Sequence, residues 1–290
     1  MKKKLFFSFL LVAMGGLPVG AKTVKKVNVI YNDGTETLSI DRSKVKKITF
    51  TSEYVPEVLP VTVGDVTFNM IKVEAGTFQM GATDGLSKEK PVHKVTLTKD
   101  YYMGETEVTQ ALYKAVMGSN PSYYPTSDQL PVENVSYNDI TGTDGFLAKL
   151  NAATGYEFRL PTEAEWEFAA RGGNESKEYK YSGSNNIDEV AWYWDENYHN
   201  KTYEVAQKAT NELGLYDMSG NVWEWCSDWY ERYSSEDQTD PNGPTTGSER
   251  MLRGGGFASA PVDYRPSARL PYDPDSREDC IGFRLAMSSD

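Results

Sequence analysis

The chain has 290 residues, of which 39 % are hydrophobic and 12 % aromatic, so it can form one large packed domain and a small additional module. It carries 30 lysine and arginine residues against 42 aspartate and glutamate residues, a formal net charge of −12. Nucleic acid is not expected as a partner, because its phosphates require a basic surface.

The first 21 residues have the pattern of a secretory signal peptide. Lysines at positions 2–4 precede an apolar run over residues 5–14, and the small residues 19–21 follow. The apolar run is too short to span a bilayer. We therefore expect an exported protein without a membrane span, located in the periplasm, at the cell surface or outside the cell.

A small β module is predicted over residues 22–54. KVNVIYNDGTETLSI alternates around an Asn-Asp-Gly turn, which is typical of a β-hairpin, and KKITF predicts a third short strand. A unit of this size is not stable alone. Residues 55–60 contain two prolines and are predicted to link the module to the main domain, residues 61–290.

The first half of the main domain contains strand and helix signals. VTFNMIKVEAGTFQMG and HKVTLTKDYYMGETEV predict strands. The helical spacing of EVTQALYKAVM predicts a helix over residues 107–117, and a short helix is predicted over residues 138–151. PTEAEWEFAARGG predicts another helix, whose first turn is fixed by a capping box of Thr162 and Glu165.

After Gly173 the sequence is rich in glycine, asparagine, proline and tyrosine, a composition that predicts long loops. This part of the chain holds both cysteines, Cys226 and Cys280. In an oxidising compartment they could form a disulfide. Two separate buried thiols are the alternative, and the sequence leaves both open.

Several motifs occur in an order that resembles one known family, the formylglycine-generating enzymes or sulfatase-modifying factors. They are AGTFQMG, ETEVTQALYKAVMGSNPS, LPVENVSYND, RLPTEAEWEFAARGG, NELGLYDMSGNVWEWCSDWY, RGGGF and IGFRLA. The similarity runs from about Val61 to Met287. It implies an α+β fold that is irregular, loop-rich and C-type-lectin-like, preceded here by the small β module.

The family's enzymes oxidise a cysteine of a sulfatase to formylglycine with O₂ and copper, which two cysteines hold. Thiolates suit copper(I) because both are soft. The resemblance places the family's arginines at Arg265 and Arg269, and the two copper-binding cysteines at Pro261 and Pro266. Proline offers no metal ligand, so copper is not expected. Cys226 and Cys280 lie elsewhere in the sequence.

The resemblance also implies a calcium site formed by Asp217, Gly220, Val222 and Glu224. Two carboxylates and two backbone carbonyls are the oxygen ligands that Ca²⁺ prefers, and the intervening tryptophans could then enter the core. The calcium would be structural and would hold a long loop. The alternative is that Asp217 caps a turn and Glu224 pairs with a buried arginine.

Two further groups of charged residues have structural and functional interpretations. Glu163, Glu165 and Glu167 look like a catalytic cluster, but helical residues two apart do not share a face. Acidic residues are favoured at a helix N-terminus, so a structural role is the simpler interpretation.

The second group consists of the arginines Arg265, Arg269 and Arg284. We expect them to pair with buried acids or loop carbonyls, and recognition of an anionic or peptide ligand is the alternative. Ser219 is expected to serve in a turn.

These observations favour a non-catalytic ligand-binding or scaffold protein. The segment from Phe257 to Cys280 is rich in tyrosine, aspartate, serine and proline, a mixture that suits adaptable recognition, and related C-type-lectin-like proteins use this region for binding. The predicted ligand-contacting residues are Tyr264, Arg265, Arg269 and Tyr272, and the predicted partners are a protein, a peptide or a glycan. The alternatives are a sulfatase-modifying oxidoreductase of the formylglycine-generating type, or another enzyme with an unrecognised site.

Overall fold

A computed structural model describes residues 26–30, 37–41, 54–194 and 201–289. The chain divides into two compact units, residues 1–53 and 54–290. In the first unit, β1 (Lys26–Ile30) pairs antiparallel with β2 (Thr37–Asp41), as expected of the two strands of the predicted hairpin, whose turn lies outside the described residues. The predicted signal peptide and the predicted third strand lie outside the described residues.

Among the residues that the structure describes, the second unit contains three small sheets. Its strands are β3 (Val58–Val63), β4 (Val66–Val73), β5 (Gly76–Met80), β6 (His93–Leu97), β7 (Tyr101–Gly104), β8 (Phe158–Arg159), β9 (Trp223–Trp229), β10 (Gln238–Thr239), β11 (Arg250–Arg253), β12 (Leu270–Tyr272), β13 (Ile281–Gly282) and β14 (Ala286–Ser288). Because β3 begins at Val58, the predicted linker is wrong for its last three residues, which belong to a strand.

The largest sheet has the order β3-β4-β7-β14-β8, and all its neighbouring strands are antiparallel. A second sheet has the order β12-β11-β9-β13, in which only β13 runs parallel to its neighbour. The third has the order β10-β6-β5, with β10 parallel to β6. The last three strands of the chain thus belong to two different sheets: β12 and β13 to the second sheet, and β14 to the largest one.

The described part of this unit also contains five short α-helices. They are α1 (Gln110–Met117), α2 (Tyr137–Thr141), α3 (Phe146–Thr154), α4 (Glu163–Ala170) and α5 (Ile187–Val190). None of the helices in the described ranges is long and apolar enough to cross a membrane.

Local signals set the helix ends. The Thr162 hydroxyl accepts the backbone N–H of Glu165 at 3.1 Å, and the Glu165 carboxylate accepts the backbone N–H of Thr162 at 2.9 Å, so the predicted capping box of α4 is confirmed. The helix predicted over 107–117 begins later, after its N-cap residue Thr109. The helix predicted over 138–151 is two helices, because an intervening turn ends at Gly145, the N-cap of α3.

Strand β9 connects the two largest apolar clusters. Trp225 packs in one cluster and Cys226 in the other, because successive residues of a strand point to opposite faces. Trp223 and Trp225 are both buried, as predicted. The strand begins at Trp223 and ends at Trp229, so these two tryptophans lie at opposite ends of the same sheet.

Candidate ligand-binding loop and its supporting ion pairs

The loop after β11 contains the two prolines predicted at the family's copper positions. Pro261 is exposed and begins a 3-10 helix, Pro261–Tyr264, whereas Pro266 is buried. The fixed backbone angle of proline favours the first position of such a helix. In this structure the two residues shape the loop, and neither side chain carries a donor atom for a metal.

The two cysteines are free thiols and belong to different parts of the core. Cys226 is buried in the second apolar cluster, whereas Cys280 is half-buried against the first. Burial raises the pKa of the Cys226 thiol well above its usual value. Burial, together with the charges of Asp279 and Glu278, raises the pKa of Cys280 to about 12. Both groups are therefore protonated near neutral pH, which disfavours copper binding.

Tyr264 anchors the loop from inside. Its side chain is buried, and its hydroxyl lies 2.7 Å from the carbonyl oxygen of Ser259 and 3.1 Å from that of Gly256. The same hydroxyl accepts the backbone N–H of Trp194 at 3.2 Å. The Ser219 hydroxyl donates to the Tyr264 carbonyl at 2.7 Å, so Ser219 connects two distant loops, whereas the sequence predicted a role within its own turn.

Arg265 ties the loop to the turn that precedes β6. Its Nη2 lies 3.0 and 3.1 Å from the two carboxylate oxygens of Glu89, which is buried. The Ser267 hydroxyl donates to the same carboxylate at 2.7 Å. Arg265 therefore has its main partner inside the protein, and its side chain is only 11 % exposed.

Arg269 forms a buried fork with the first glutamate of α4. Its Nε and Nη2 donate to the two carboxylate oxygens of Glu163 at 2.6 and 2.7 Å. Its Nη1 donates to the carbonyl oxygen of Lys88 at 2.8 Å. The interpretation of these arginines as partners of buried acids and loop carbonyls is confirmed for Arg269.

The other two glutamates of α4 are structural as well. Glu165 pairs with Arg159 at 2.6 Å. Glu167 is buried and receives hydrogen bonds from Arg171 and Arg253. Arg253 lies between Glu163 and Glu167, whereas Glu165 faces Arg159, so the three glutamates do not converge on one site.

The predicted calcium ligands lie around a buried turn. Both Glu224 oxygens accept hydrogen bonds from Arg284, and Oε2 also accepts the indole N–H of Trp166 at 2.6 Å. One Asp217 oxygen, Oδ2, accepts the backbone N–H of Ala206 at 2.8 Å. Glu224 thus pairs with a buried arginine, as the alternative interpretation expects, whereas Asp217 accepts from the backbone 11 residues before it and does not cap its own turn.

One observation nevertheless fits a cation at Asp217. Its Oδ1 is buried and has no hydrogen-bond partner among the described residues. Burial raises the pKa of Asp217 to about 6. Three buried carboxyl groups, those of Glu107, Asp217 and Glu224, interact here with one buried guanidinium, that of Arg284. A divalent cation would supply both a partner for Oδ1 and the missing positive charge, whereas Glu224 is already engaged.

Two exposed aromatic residues flank the loop, and the sequence did not identify either of them. Tyr123 is 69 % exposed and packs edge-on against Tyr124, whose ring packs in the same way against Phe257 at the start of the loop. Trp194 is 59 % exposed and its backbone N–H bonds to Tyr264 at the other end. Only proximity in the fold relates these residues, so no sequence spacing could have revealed them.

The four predicted ligand-contacting residues differ in their accessibility. Tyr264 and Arg269 are buried and support the loop. Arg265 is mostly covered, and the half-buried Tyr272 donates its hydroxyl to Glu278 at 2.8 Å. Val262, which is 36 % exposed, is the largest of the exposed apolar side chains of the loop, beside Pro261.

Comparison with known proteins identifies the family. Residues 60–289 match the family described as "Sulfatase-modifying factor enzyme 1-like domain". The chain is 31 % identical over 295 residues to the formylglycine-generating enzyme of Streptomyces coelicolor, an alignment that covers 77 % of this chain and 90 % of the relative. The chain therefore belongs to the sulfatase-modifying-factor family.

Two other relatives carry different names. The chain is 35 % identical over 271 residues to "Chaperone protein LppX" of Paenibacillus barcinonensis, covering 77 % of this chain and 90 % of the relative. The solved structure of Treponema denticola variable protein 1 is 34 % identical, with a TM-score of 0.72, and the match covers 81 % of this chain and 100 % of that one. These matches confirm the α+β, loop-rich, C-type-lectin-like fold.

Proposed function

We propose that this protein is an exported, non-catalytic ligand-binding member of its family, and that the loop of residues 257–264 contacts a protein or peptide. One observation carries the proposal. Exposed Tyr123 and Trp194 lie at the two ends of a loop whose backbone is fixed from inside by buried Tyr264. Export is supported by the signal-peptide pattern of the first 21 residues.

The side chains around this loop argue against the family's oxidase chemistry. Pro261 and Pro266 provide no thiolate, and the thiols of Cys226 and Cys280 lie in different clusters with raised pKa values. Copper(I) would have to bind a protonated thiol or displace its proton at a considerable energetic penalty. The scaffold is kept without the ligand pair that activates O₂ in the enzymes it resembles.

A protein or peptide ligand fits the exposed side chains. Large aromatic rings supply much contact area with few rotatable bonds, and they are common binding hot spots. Tyr123, Trp194 and Val262 are accessible, so they replace Tyr264 and Arg269 as the proposed contacts. The name of one relative, a chaperone, is compatible with binding to another polypeptide.

The proposal is tested by selecting binders from a displayed peptide library with the full-length protein. Tyr123→Ser and Trp194→Ser should each weaken selected peptides at least about tenfold, as expected for hot-spot residues. Tyr156→Ser, which changes an exposed tyrosine in the turn after α3, is the matched control and should have no effect. Failure to enrich any peptide, or equal binding by all variants, would refute the proposal.

A second assay tests the non-catalytic part separately. The protein is incubated with a Cys-x-Pro-x-Arg peptide, copper and O₂, and the peptide is analysed for aldehyde. We expect none, and aldehyde formation by the wild-type protein would establish an oxidase. Because this assay does not depend on the peptide selection, the two parts of the proposal can fail independently.

We also propose a structural calcium ion held by Asp217 with the backbone carbonyls of Gly220 and Val222. The support is the unpartnered buried Oδ1 of Asp217 and the excess of buried carboxylates around it. When bound, the ion would fix the turn that precedes β9. Glu224 is left out of this ligand set because Arg284 and Trp166 already occupy its oxygens.

A further inference from the structure

The loop of residues 257–264 begins at an aromatic cluster formed by Tyr123, Tyr124 and Phe257. The rings of Tyr123 and Tyr124 meet edge to face with their centroids 5.0 Å apart, and the rings of Tyr124 and Phe257 do so at 5.9 Å. Phe257 is buried, Tyr124 is half-buried and Tyr123 is exposed. The ring of Tyr123 is therefore the part of the cluster that a ligand reaches first.

Two carboxylates are attached directly to this aromatic cluster. Glu133 accepts the backbone N–H groups of Tyr123 and Tyr124 at 3.0 and 2.8 Å. Asp279 accepts the hydroxyl of Tyr124 at 3.2 Å. Glu133 is buried and Asp279 is half-buried, so water screens their charges less than it would on an open surface.

No basic side chain compensates these charges. Within residues 54–194 and 201–289, no lysine or arginine forms an ion pair with Glu133, Asp279 or the neighbouring Glu278. Arg277, which is next to Glu278 in the sequence, is paired with Asp139 at 2.6 Å. This end of the loop therefore carries an excess of negative charge.

The titration of the groups around the aromatic cluster reflects this excess. Burial and the charge of Asp279 raise the pKa of Glu133. Burial and the same aspartate raise the pKa of Tyr124 to about 12. The carboxylates of Asp279 and Glu278 act in the same direction on the Cys280 thiol, whose pKa is about 12. All these shifts indicate a negative potential, which favours a positive charge placed here.

We propose that the ligand of this loop is a basic polypeptide segment, which places a lysine or arginine side chain against the ring of Tyr123 and beside the carboxylate of Asp279. The π face of an aromatic ring attracts a cation, and a neighbouring carboxylate adds an ion pair. A neutral segment would leave the two carboxylates without a counter-charge. This inference rests on the proposed function and adds to it the charge of the bound polypeptide.

The experiment uses the displayed random peptide library with the full-length protein. Enriched peptides should contain lysine or arginine more often than the unselected library does. Their binding should weaken as the salt concentration rises, because salt screens partly exposed charges. Replacing the basic residue of a selected peptide by glutamine should weaken binding roughly threefold to tenfold, the effect of one partly screened ion pair and one cation–π contact.

Variants of the protein locate the charge. Asp279→Asn keeps an acceptor for the Tyr124 hydroxyl but removes the charge, so it should weaken the basic peptide by a similar factor and leave its glutamine version unaffected. Asp65→Asn, in the exposed turn between β3 and β4, removes the same charge elsewhere and is the matched control. Tyr123→Leu should weaken the basic peptide more than Tyr123→Phe does, since phenylalanine keeps the π face.

The outcomes separate this inference from the proposed function. Peptides that depend on Tyr123 but carry no excess of basic residues would overturn the inference and leave the peptide-binding proposal standing. If no peptide is enriched, both are refuted. Equal effects of Asp279→Asn and Asp65→Asn would also overturn the inference, because the charge would then act through the whole surface and not at the aromatic cluster.

Discussion

Arg284 and Glu224 form a bidentate ion pair in which neither side chain reaches solvent. Nη2 lies 2.8 Å from Oε1, and Nε lies 2.9 Å from Oε2. The same guanidinium donates to the carbonyl oxygens of Gly104 and Tyr216 at 2.9 and 2.8 Å. One arginine thus connects the C-terminal segment, β7 and the loop before β9, so its role is to fix irregular backbone.

The first prediction is that Arg284→Met destabilises the protein strongly. It leaves the Glu224 charge buried without its partner, and the expected loss is about 3–5 kcal/mol in the free energy of unfolding, measured with urea. Arg284→Lys, which keeps the charge but not the fork, should give a smaller loss.

The control for this prediction is an exposed pair. Arg277 lies 2.6 Å from Asp139, with side chains 50 % and 30 % exposed. Arg277→Met should lower the free energy of unfolding by less than about 1 kcal/mol, because water screens the pair. An equal effect at both arginines would show that burial does not determine the importance of Arg284.

The sequence predicts local features of this fold better than distant ones. The capping box of Thr162 and Glu165 was predictable because both partners are three residues apart and the hydrogen bonds are local. The same holds for the hairpin of β1 and β2. The partner of Glu163 was not predictable, since Arg269 is 106 residues away and only tertiary folding brings the two together.

The candidate sites show the same difference between local features, which the sequence predicts, and contacts between distant residues, which it does not. The family motifs pointed to the turn around Asp217 and to the loop between β11 and β12, but the composition of that loop led to buried Tyr264 as a predicted ligand contact. Exposure depends on what packs above a residue, and this is a property of the whole fold. Tyr123 and Trp194 became candidates only because the structure places them beside that loop.

The second prediction concerns calcium. Adding Ca²⁺ at pH 8 should raise the melting temperature of the wild-type protein, by about 2–4 °C for each kcal/mol of binding free energy coupled to folding, and EDTA should reverse the change. Asp217→Asn should reduce the response, because it removes the charge at the proposed ligand. Asp144→Asn, at an exposed position, should respond like the wild type. No calcium response in the wild type would refute the proposed ion.

The third prediction is a pH dependence caused by Asp228. Burial and Glu163 raise the pKa of this carboxyl group from 3.8 to about 7 in the folded state. The folded protein then holds a proton that the unfolded chain releases, so stability is greatest below pH 4 for this group and is lost as pH rises to 7. The slope should approach 1.4 kcal/mol per pH unit, as about one proton is involved.

Asp228→Asn tests this assignment because asparagine can still accept the Glu163 N–H but does not titrate. Urea unfolding at several pH values between 4 and 8 should show the wild type losing stability relative to the variant as the pH rises, by up to about 1.4 kcal/mol per pH unit. Parallel profiles would show that another group causes the dependence. Other carboxyl groups contribute equally to both proteins, so the difference between the two profiles isolates Asp228.

The fourth prediction concerns the reactivity of the two thiols. Cys226 is buried and should not react with a thiol reagent in the folded protein, whereas half-buried Cys280 should react slowly, because its pKa of about 12 leaves little thiolate at pH 8. Both should react at once in guanidinium chloride without a reductant, giving two thiols per chain. Cys280→Ser should abolish the slow reaction and Cys226→Ser should leave it intact. Fewer than two thiols in the denatured protein would reveal a disulfide and contradict the separate positions of the two cysteines. Rapid labelling of either cysteine in the folded protein would contradict its raised pKa.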